Sequence, residues 1–171
     1  SDTEALRLYQ LAAERGHAPA NFNLGMMHEL GRGTLRDLEV AFGFYLKAAE
    51  AGFAPAQFNV GNMYANGVGT PQDLTKALFW FEVAARAGDT GAEQEVKNLR
   101  TRVAMSDSLE ASEKAAKWKA QTPVALANGR FGAQRWNTGN PLQVQAVHGP
   151  GGQALAAQPL RPGARVLLRR Q

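Results

Sequence analysis

The sequence predicts an all-α protein, built from a repeated pair of helices and followed by a disordered C-terminal tail. Three observations lead to this fold class: an internal repeat of 36 residues, apolar residues at helical spacing inside each repeat, and a change of composition after residue 120. The chain has 171 residues, 44% of them hydrophobic, which is enough to bury one core of ordinary size. We therefore expect one ordered domain in residues 1–120 and a separate tail in residues 121–171.

The repeat is visible as a direct duplication of sequence. The segment AAERGHAPANFNLG at 12–25 returns as AAEAGFAPAQFNVG at 48–61, with 10 of 14 positions identical. A third copy begins with AARAG at Ala84, again 36 residues further on. Units of this length bury their apolar faces against neighbouring units, so the period predicts a stack. The predicted units are a half-repeat at 3–16, full repeats at about 18–52 and 54–88, and terminal helices at 90–120.

The second helix of each unit is predicted from its spacing and its end signals. Apolar residues recur at steps of three and four, which places them on one helical face; in the first full unit they are Leu38, Ala41, Phe42, Tyr45, Ala48 and Ala49. Asp37 and Asp73 stand just before the two stripes and are expected to cap the helix starts. Glycines follow the stripes, where left-handed helix stops are expected; they are Gly16, Gly52 and Gly88.

The first helix of each unit, at about 18–30 and 54–66, carries a glycine in its middle. A glycine there costs about 1 kcal/mol relative to alanine. Gly25 nevertheless returns one unit later as Gly61. We interpret this recurrence as a place where a neighbouring helix packs against bare backbone, so that a bulky residue would push the helices apart.

The two ends of the repeat array depart from the pattern. The chain begins inside what would be the second helix of a unit, so we expect either that upstream repeats preceded it or that this helix is partly exposed. The first helix of the third unit is expected near 90–105. A closing helix is expected over 106–120, opened by Asp107 and Glu110 at capping-box spacing, with Trp118 as a packing anchor on the last repeat.

The repeat length, the block from AAE to NLG and the glycine loops before the capped helices resemble the Sel1-like repeat (SLR), a relative of the tetratricopeptide repeat. The resemblance covers about residues 3–105. It implies a right-handed α-solenoid of bacterial type that binds other proteins without catalysis, in the periplasm or cell envelope. It also implies that Gly33 and Gly69 belong to inter-helix turns; phosphate loops would need a preceding strand and a following lysine, which are missing.

The resemblance further implies where a partner would bind. The first helices would line a concave groove, in which Asn23 and Asn59 match the asparagines that tetratricopeptide clamps use on a peptide backbone or terminal carboxylate. An amide donates and accepts hydrogen bonds at once, which suits a peptide of variable sequence. The alternative is that both asparagines only bridge neighbouring helices. The other predicted groove residues are Met26, Glu29, Leu30, Asn62, Ala65 and Asn66.

The tail differs from the repeats in charge and composition. Residues 1–120 carry a net charge of −2, whereas residues 121–171 carry +6 from six arginines and no acidic residue. Twelve of the 51 tail residues are Gly or Pro, a composition typical of disorder. Three interpretations stay open: inert disorder, the remnant of a module tethered to peptidoglycan, or a segment that binds an anionic polymer. Nucleic acid is the less favoured polymer.

Residue types exclude several kinds of chemistry. The chain has no cysteine and only three scattered histidines, which gives no basis for a metal site. It lacks the His-Glu-x-x-His, Gly-x-Ser-x-Gly and phosphate-loop motifs, so we predict no catalytic residues and no cofactor. His28 and Glu29 are neighbours about 100° apart on a helix and are interpreted as surface residues. No run of about 20 apolar residues predicts a membrane span.

Overall fold

The computed structural model describes residues 1–121, and within them the chain forms seven α-helices and no strand. The all-α prediction is therefore confirmed for this part of the chain. The predictions for residues 122–171, including a disordered tail and a peptidoglycan or anion tether, lie outside the described residues. The helices are α1 Asp2–Glu14, α2 Ala18–Leu30, α3 Leu38–Glu50, α4 Ala54–Asn66, α5 Leu74–Arg86, α6 Thr90–Arg100 and α7 Met105–Lys117.

Each helix from α1 to α5 packs against the next one along the chain, whereas α7 packs against α5. The first helices α2 and α4 pack most extensively against the second helices that follow them, α3 and α5. They also pack against the second helices that precede them, α1 and α3. Each first helix is thus enclosed by two second helices, which is the arrangement of an α-solenoid. This enclosure decides how much of α2 and α4 a partner can reach.

Local signals set the helix ends where the repeat requires them. The Asp37 carboxylate accepts hydrogen bonds from the backbone N–H groups of Glu39 and Val40, and Asp73 caps α5 through the N–H of Lys76. Positive φ angles of 78°, 91° and 97° occur at the three glycines that end the second helices, which are Gly16, Gly52 and Gly88.

The two inter-helix loops also hold the repeats together. Gly33 and Gly69 have φ angles of 71° and 67°, a region that favours glycine. A Cβ on Gly33 would lie 2.6 Å from the carbonyl oxygen of Asp2, and one on Gly69 would meet the carbonyl oxygen of Leu38. Each loop therefore lies against the start of the preceding second helix, and a side chain at either glycine would separate them.

A glycine and an aromatic ring meet at the same place in both repeats. A Cβ built on Gly25 would lie 2.6 Å from the Tyr45 ring, and one on Gly61 would lie 2.8 Å from the Phe81 ring. Both rings are buried. The mid-helix glycines let α3 and α5 approach the backbone of α2 and α4.

The C-terminal helices differ from their predicted bounds. The first of them, α6, ends at Arg100, not near residue 105. The capping-box prediction for the next helix is wrong: α7 begins at Met105, with Ala104 at its N-cap and no side-chain cap. Val103, directly before this N-cap, is partly buried and packs against core residues of α5 and α6.

After α7 the chain turns back toward the first repeat. The ring of Trp118 lies against Trp80 of α5, with centroids 6.0 Å apart. Three residues later the N–H of Gln121 donates to the carbonyl oxygen of Glu50 at the end of α3. This segment thus connects the closing helix to both full repeats. In the described part of the chain no helix is long and apolar enough to cross a membrane.

Candidate partner-binding site

The predicted groove asparagines lie inside the solenoid. Asn23 is 6% exposed, Asn59 2% and Asn62 8%, and Met26 is buried as well. These four predicted groove residues are therefore not exposed to solvent, and their role in binding stays a prediction. The reason for their burial is the enclosure of α2 and α4 by second helices on both sides, which leaves almost no free helix face.

Three buried amide groups nevertheless lack a hydrogen-bond partner for their nitrogen. The Nδ2 atoms of Asn23, Asn59 and Asn62 are shielded from solvent, and none completes a hydrogen bond within residues 1–121, although the Tyr45 hydroxyl lies near the Asn59 amide. Leaving a buried donor unpaired costs about 1–3 kcal/mol. Two of these donors, Asn59 and Asn62, are three residues apart on α4 and so point to the same side of that helix.

Glu29 is buried and hydrogen-bonded, which corrects its interpretation as a surface residue. It is 4% exposed, and its Oε2 accepts a 2.6 Å hydrogen bond from the Tyr45 hydroxyl. Burial raises the pKa of the Glu29 carboxyl, while the Tyr45 hydrogen bond and the nearby Arg36 guanidinium lower it less strongly. His28 beside it is half-buried and stacks on the ring of Phe44.

Tyr45 links this carboxyl to the next repeat. Burial, the Glu29 charge and the Glu29 hydrogen bond together hold the Tyr45 pKa well above its usual range. The Asn59 amide faces the same hydroxyl and lowers that pKa, although its nitrogen completes no hydrogen bond by distance and angle. A polar cluster of Glu29, Tyr45 and Asn59 therefore crosses from α2 through α3 to α4.

The remaining predicted groove residues form a more accessible rim. Leu30 is 60% exposed, and Ala65 and Asn66 are half-buried. The Asn66 amide donates to the carbonyl oxygen of Asn62, and the Gln72 amide donates to that of Ala65. The rim lies at the C-terminal ends of α2 and α4, next to the glycine loops.

Sequence reasoning missed two polar residues of this region. The spacing puts Tyr45 in the apolar stripe of α3, and nothing in that spacing distinguishes a tyrosine that packs from one that also donates a hydrogen bond. Gln57 is almost fully buried; its Nε2 donates to the carbonyl oxygen of Ala49, and its Oε1 has no partner among the described residues.

A shallow cleft of about 340 Å³ lies between α5 and α6, away from the amides. Its buried carboxylate, Glu82, accepts hydrogen bonds from Arg100 at 2.9 Å and from the Ser112 hydroxyl at 2.6 Å. These contacts tie α5 to α6 and α7. Residues 1–121 contain no cluster of three or more His, Cys, Asp or Glu side chains able to hold a metal ion.

The family model of the Sel1 repeat matches this chain three times in succession. The matches cover residues 1–17, 18–53 and 54–89, which is just over half of the sequence. Their boundaries fall in the loops between the helix pairs. The chain belongs to the Sel1 repeat family. The predicted resemblance is thereby confirmed, and Sel1 repeats are generally protein-interaction modules.

Two bacterial structures with Sel1-type repeats are similar to this chain. One is a protective antigen of uropathogenic Escherichia coli strains with an SLR fold; it shares 25% identity at a TM-score of 0.64, over 77% of this chain and 29% of that one. The other is a Sel1 repeat protein from Oxalobacter formigenes, with 44% identity and a TM-score of 0.48, over 49% of this chain and 24% of that one. The chain thus spans less than a third of either protein. No curated protein matches it.

Proposed function

We propose that this Sel1 repeat chain is a scaffold that binds a partner protein or peptide along the concave side formed by its first helices, and that it acts by positioning the partner and not by catalysis. The observation that carries the proposal is the set of three unpaired amide donors on α2 and α4. A partner's main-chain carbonyl groups are acceptors that these donors lack, and an amide can donate to them whatever the partner's side chains are.

The burial of the amides sets a condition on binding. Their nitrogens are shielded from solvent, so a partner reaches them only if α2 and α4 move slightly away from the second helices that enclose them or if the side chains turn toward the rim. The exposed side chain of Leu30 and the half-buried Asn66 are the first contacts that such a partner would make. Binding would then satisfy donors that otherwise cost about 1–3 kcal/mol each.

The test starts from a phage-displayed library of random peptides selected on the immobilised full chain. Selected peptides are then titrated against the double variant Asn23→Ala with Asn59→Ala, and against Asn62→Met. We expect methionine to fit at position 62, because the equivalent position of the preceding repeat holds Met26. We expect affinities at least about tenfold weaker for both, because each variant removes a donor.

Thermal melts of the same variants separate binding from folding. We expect little change in the melting temperature, since the loss of side-chain packing is offset by removal of an unpaired buried donor. Lower melting temperatures with unchanged affinity would show that the amides are bridges between helices. Unchanged affinity and unchanged melting temperature would place the partner elsewhere. Either result contradicts the proposal.

A further inference from the structure

The helices α2, α4 and α6 begin with three different residues at the same repeat position. The N-cap residue is His17 in α2, Phe53 in α4 and Asp89 in α6, each 36 residues after the one before. All three residues are half-buried. A helix start has backbone N–H groups without an intrahelical acceptor, and these three side chains differ in whether they supply one. The start of each helix is therefore held in a different way.

A histidine ring caps α2. The Nδ1 atom of His17 accepts a 3.2 Å hydrogen bond from the backbone N–H of Ala20. The Asp89 carboxylate caps α6 by accepting from two backbone N–H groups, whereas Phe53 gives α4 no side-chain cap. An imidazole nitrogen accepts a hydrogen bond only while it is unprotonated. Among these three helix starts, the start of α2 is thus the one that histidine protonation weakens.

Protonation of His17 acts on α2 in two ways. The Nδ1 atom can no longer accept from the Ala20 N–H, which then keeps only the His17 carbonyl oxygen, 3.1 Å away. The imidazolium also places a positive charge at the N-terminus of a helix, where the helix dipole disfavours a cation. Burial lowers the pKa of His17, so the ring binds a proton more readily once the helix start has opened. Opening therefore becomes more favourable as the pH falls below the ordinary histidine pKa of about 6.5.

The neighbouring charged groups do not oppose this effect. Glu14 and Arg15 precede His17 at the end of α1, and both are exposed. Within residues 1–121 burial is the cause of the lowered His17 pKa, and no charged side chain adds to it. Glu29, near the other end of α2, has a raised pKa and so gives the opposite sign, because acid stabilises its buried carboxyl. Acid therefore loosens the start of α2 and not its end.

The loosened start of α2 contains one of the unpaired amides. Asn23 lies six residues after His17, in the second turn of α2, and its amide nitrogen is shielded from solvent. We propose that His17 is an acid switch for the concave side: its protonation releases the start of α2 and makes the Asn23 amide accessible, so that acid strengthens partner binding. This regulation rests on the proposed function of the concave side. It is confined to the first full repeat, because Phe53 does not titrate and an aspartate such as Asp89 keeps its charge down to about pH 4.

Hydrogen exchange followed by NMR tests the switch on the full chain, at about pH 7.5 and about pH 4.5, on either side of the histidine pKa. The amides of residues 20–24 are compared with those of residues 56–60, the equivalent part of α4. Protection factors are used because they remove the intrinsic pH dependence of exchange. We expect the protection of α2 to fall at least about threefold relative to α4 at the lower pH, a factor within the range for the loss of a helix N-cap.

Two variants give α2 the N-cap residues of the other two helices. His17→Asp supplies a carboxylate that stays ionised, so we expect high protection of α2 at both pH values. His17→Phe removes the side-chain cap, so we expect low protection at both. Both residues already stand at this repeat position, as Asp89 and Phe53, and we expect both to fit. The parent should resemble His17→Asp at the higher pH and His17→Phe at the lower.

Binding is measured with the phage-selected peptides, titrated at both pH values against the parent and His17→Asp. Comparing the two proteins at each pH cancels any titration of the peptide itself. We expect the affinity of the parent relative to His17→Asp to rise at least about threefold at the lower pH, because more of the parent is in the binding-competent state.

Two results would overturn this proposal. The first is the same pH dependence of α2 protection in the parent and in His17→Asp, which would mean that His17 is no switch. The second is a switch in protection without a change in relative affinity, which would mean that it does not regulate the concave side. Neither result touches the proposed function itself, which fails instead if Asn23→Ala with Asn59→Ala leaves the affinity unchanged at a single pH.

Discussion

The two full repeats, α2–α3 and α4–α5, each have one junction between their paired helices, and these two junctions share one contact and differ in polarity. In the first junction Tyr45 lies on Gly25, and its hydroxyl donates to the buried Glu29. In the second junction Phe81 lies on Gly61 with the same closeness but has no hydroxyl, and the position of Glu29 is taken by Ala65. The glycine and the ring are therefore what both repeats use to pack their two helices together. Only the first junction contains the hydroxyl of Tyr45 and the carboxyl of Glu29.

The largest expected effect comes from the contact that the junctions share. Gly25→Leu and Gly61→Leu should each lower the free energy of unfolding by about 1–3 kcal/mol or more, since even a Cβ would overlap Tyr45 or Phe81. Urea denaturation followed by circular dichroism measures this loss.

Gly43→Leu is the matched control for the glycine variants. It makes the same substitution within a helix where a Cβ meets no atom, and we expect it to gain up to about 1 kcal/mol from helix propensity. Equal stability changes at all three positions would mean that the close approach of the rings does not decide how the two helices of a repeat pack.

A smaller effect is expected from exchanging the hydroxyl between the junctions. Tyr45→Phe leaves the buried Glu29 carboxyl without its donor and should cost about 1–3 kcal/mol. Phe81→Tyr places a hydroxyl where Ala65 offers no side-chain acceptor and should cost a similar amount. The double variant of Phe81→Tyr with Ala65→Glu rebuilds the pair in the second junction and should recover part of that loss.

The measurement is chemical denaturation of the parent, Phe81→Tyr, Ala65→Glu and the double variant. The coupling between positions 65 and 81 is obtained from a double-mutant cycle, for which Ala65→Glu alone is the fourth corner. A coupling of zero would show that the hydroxyl–carboxyl pair depends on more of the first junction than the two residues themselves.

The smallest effect is a pH dependence confined to the first junction. Because burial raises the pKa of Glu29, the folded chain holds its proton at pH values where the unfolded chain has released it. Stability should therefore be greatest below the unfolded pKa and fall as the pH rises through the folded pKa. The total fall is about 1.4 kcal/mol for each pH unit that separates the folded pKa from the unfolded one.

Glu29→Gln keeps the size of the side chain and removes the titration. The unfolding free energy of the parent minus that of this variant, measured at about pH 4 to 8, should decrease with pH and then level off. Glu4 and Glu113 have pKa values lowered by Arg7 and Lys117 and contribute the opposite slope, but they are present in both proteins and cancel. If the difference in unfolding free energy does not change with pH, the Glu29 carboxyl does not contribute to the pH dependence of stability.

Most of the repeat was predictable because its signals are local. The helix ends at Asp37 and Asp73 depend on side chains within three residues, and the left-handed stops depend on single glycines. The recurrence of Gly25 as Gly61 even indicated a close helix contact, although not which ring makes it. The start of α7 escaped prediction because no side chain caps it, and the half-buried Val103 just before it packs with residues of α5 and α6.

The candidate site was predictable in its residues but not in its environment. Spacing and resemblance single out Asn23 and Asn59, and spacing carries no information on how tightly two further helices enclose them. From the sequence alone Glu29 is interpreted as an ordinary carboxylate on a helix surface, and only the structure shows that Tyr45 donates a hydrogen bond to it. The unpaired amide nitrogens are visible only once every neighbouring acceptor has a position.

The sequence by itself determined the period, the helix pairs, the helix-ending glycines and the Sel1 repeat family, because each of these depends on residues close together in the chain or repeated at a fixed offset. The tertiary structure alone decided which faces are covered. Trp80 of α5 is buried because Trp118, which follows α7, comes to lie against it, whereas Phe44 at the equivalent position of α3 is half-buried against His28. Burial is a property of the assembled helices, and the same repeated pattern can therefore be closed in one unit and open in the next.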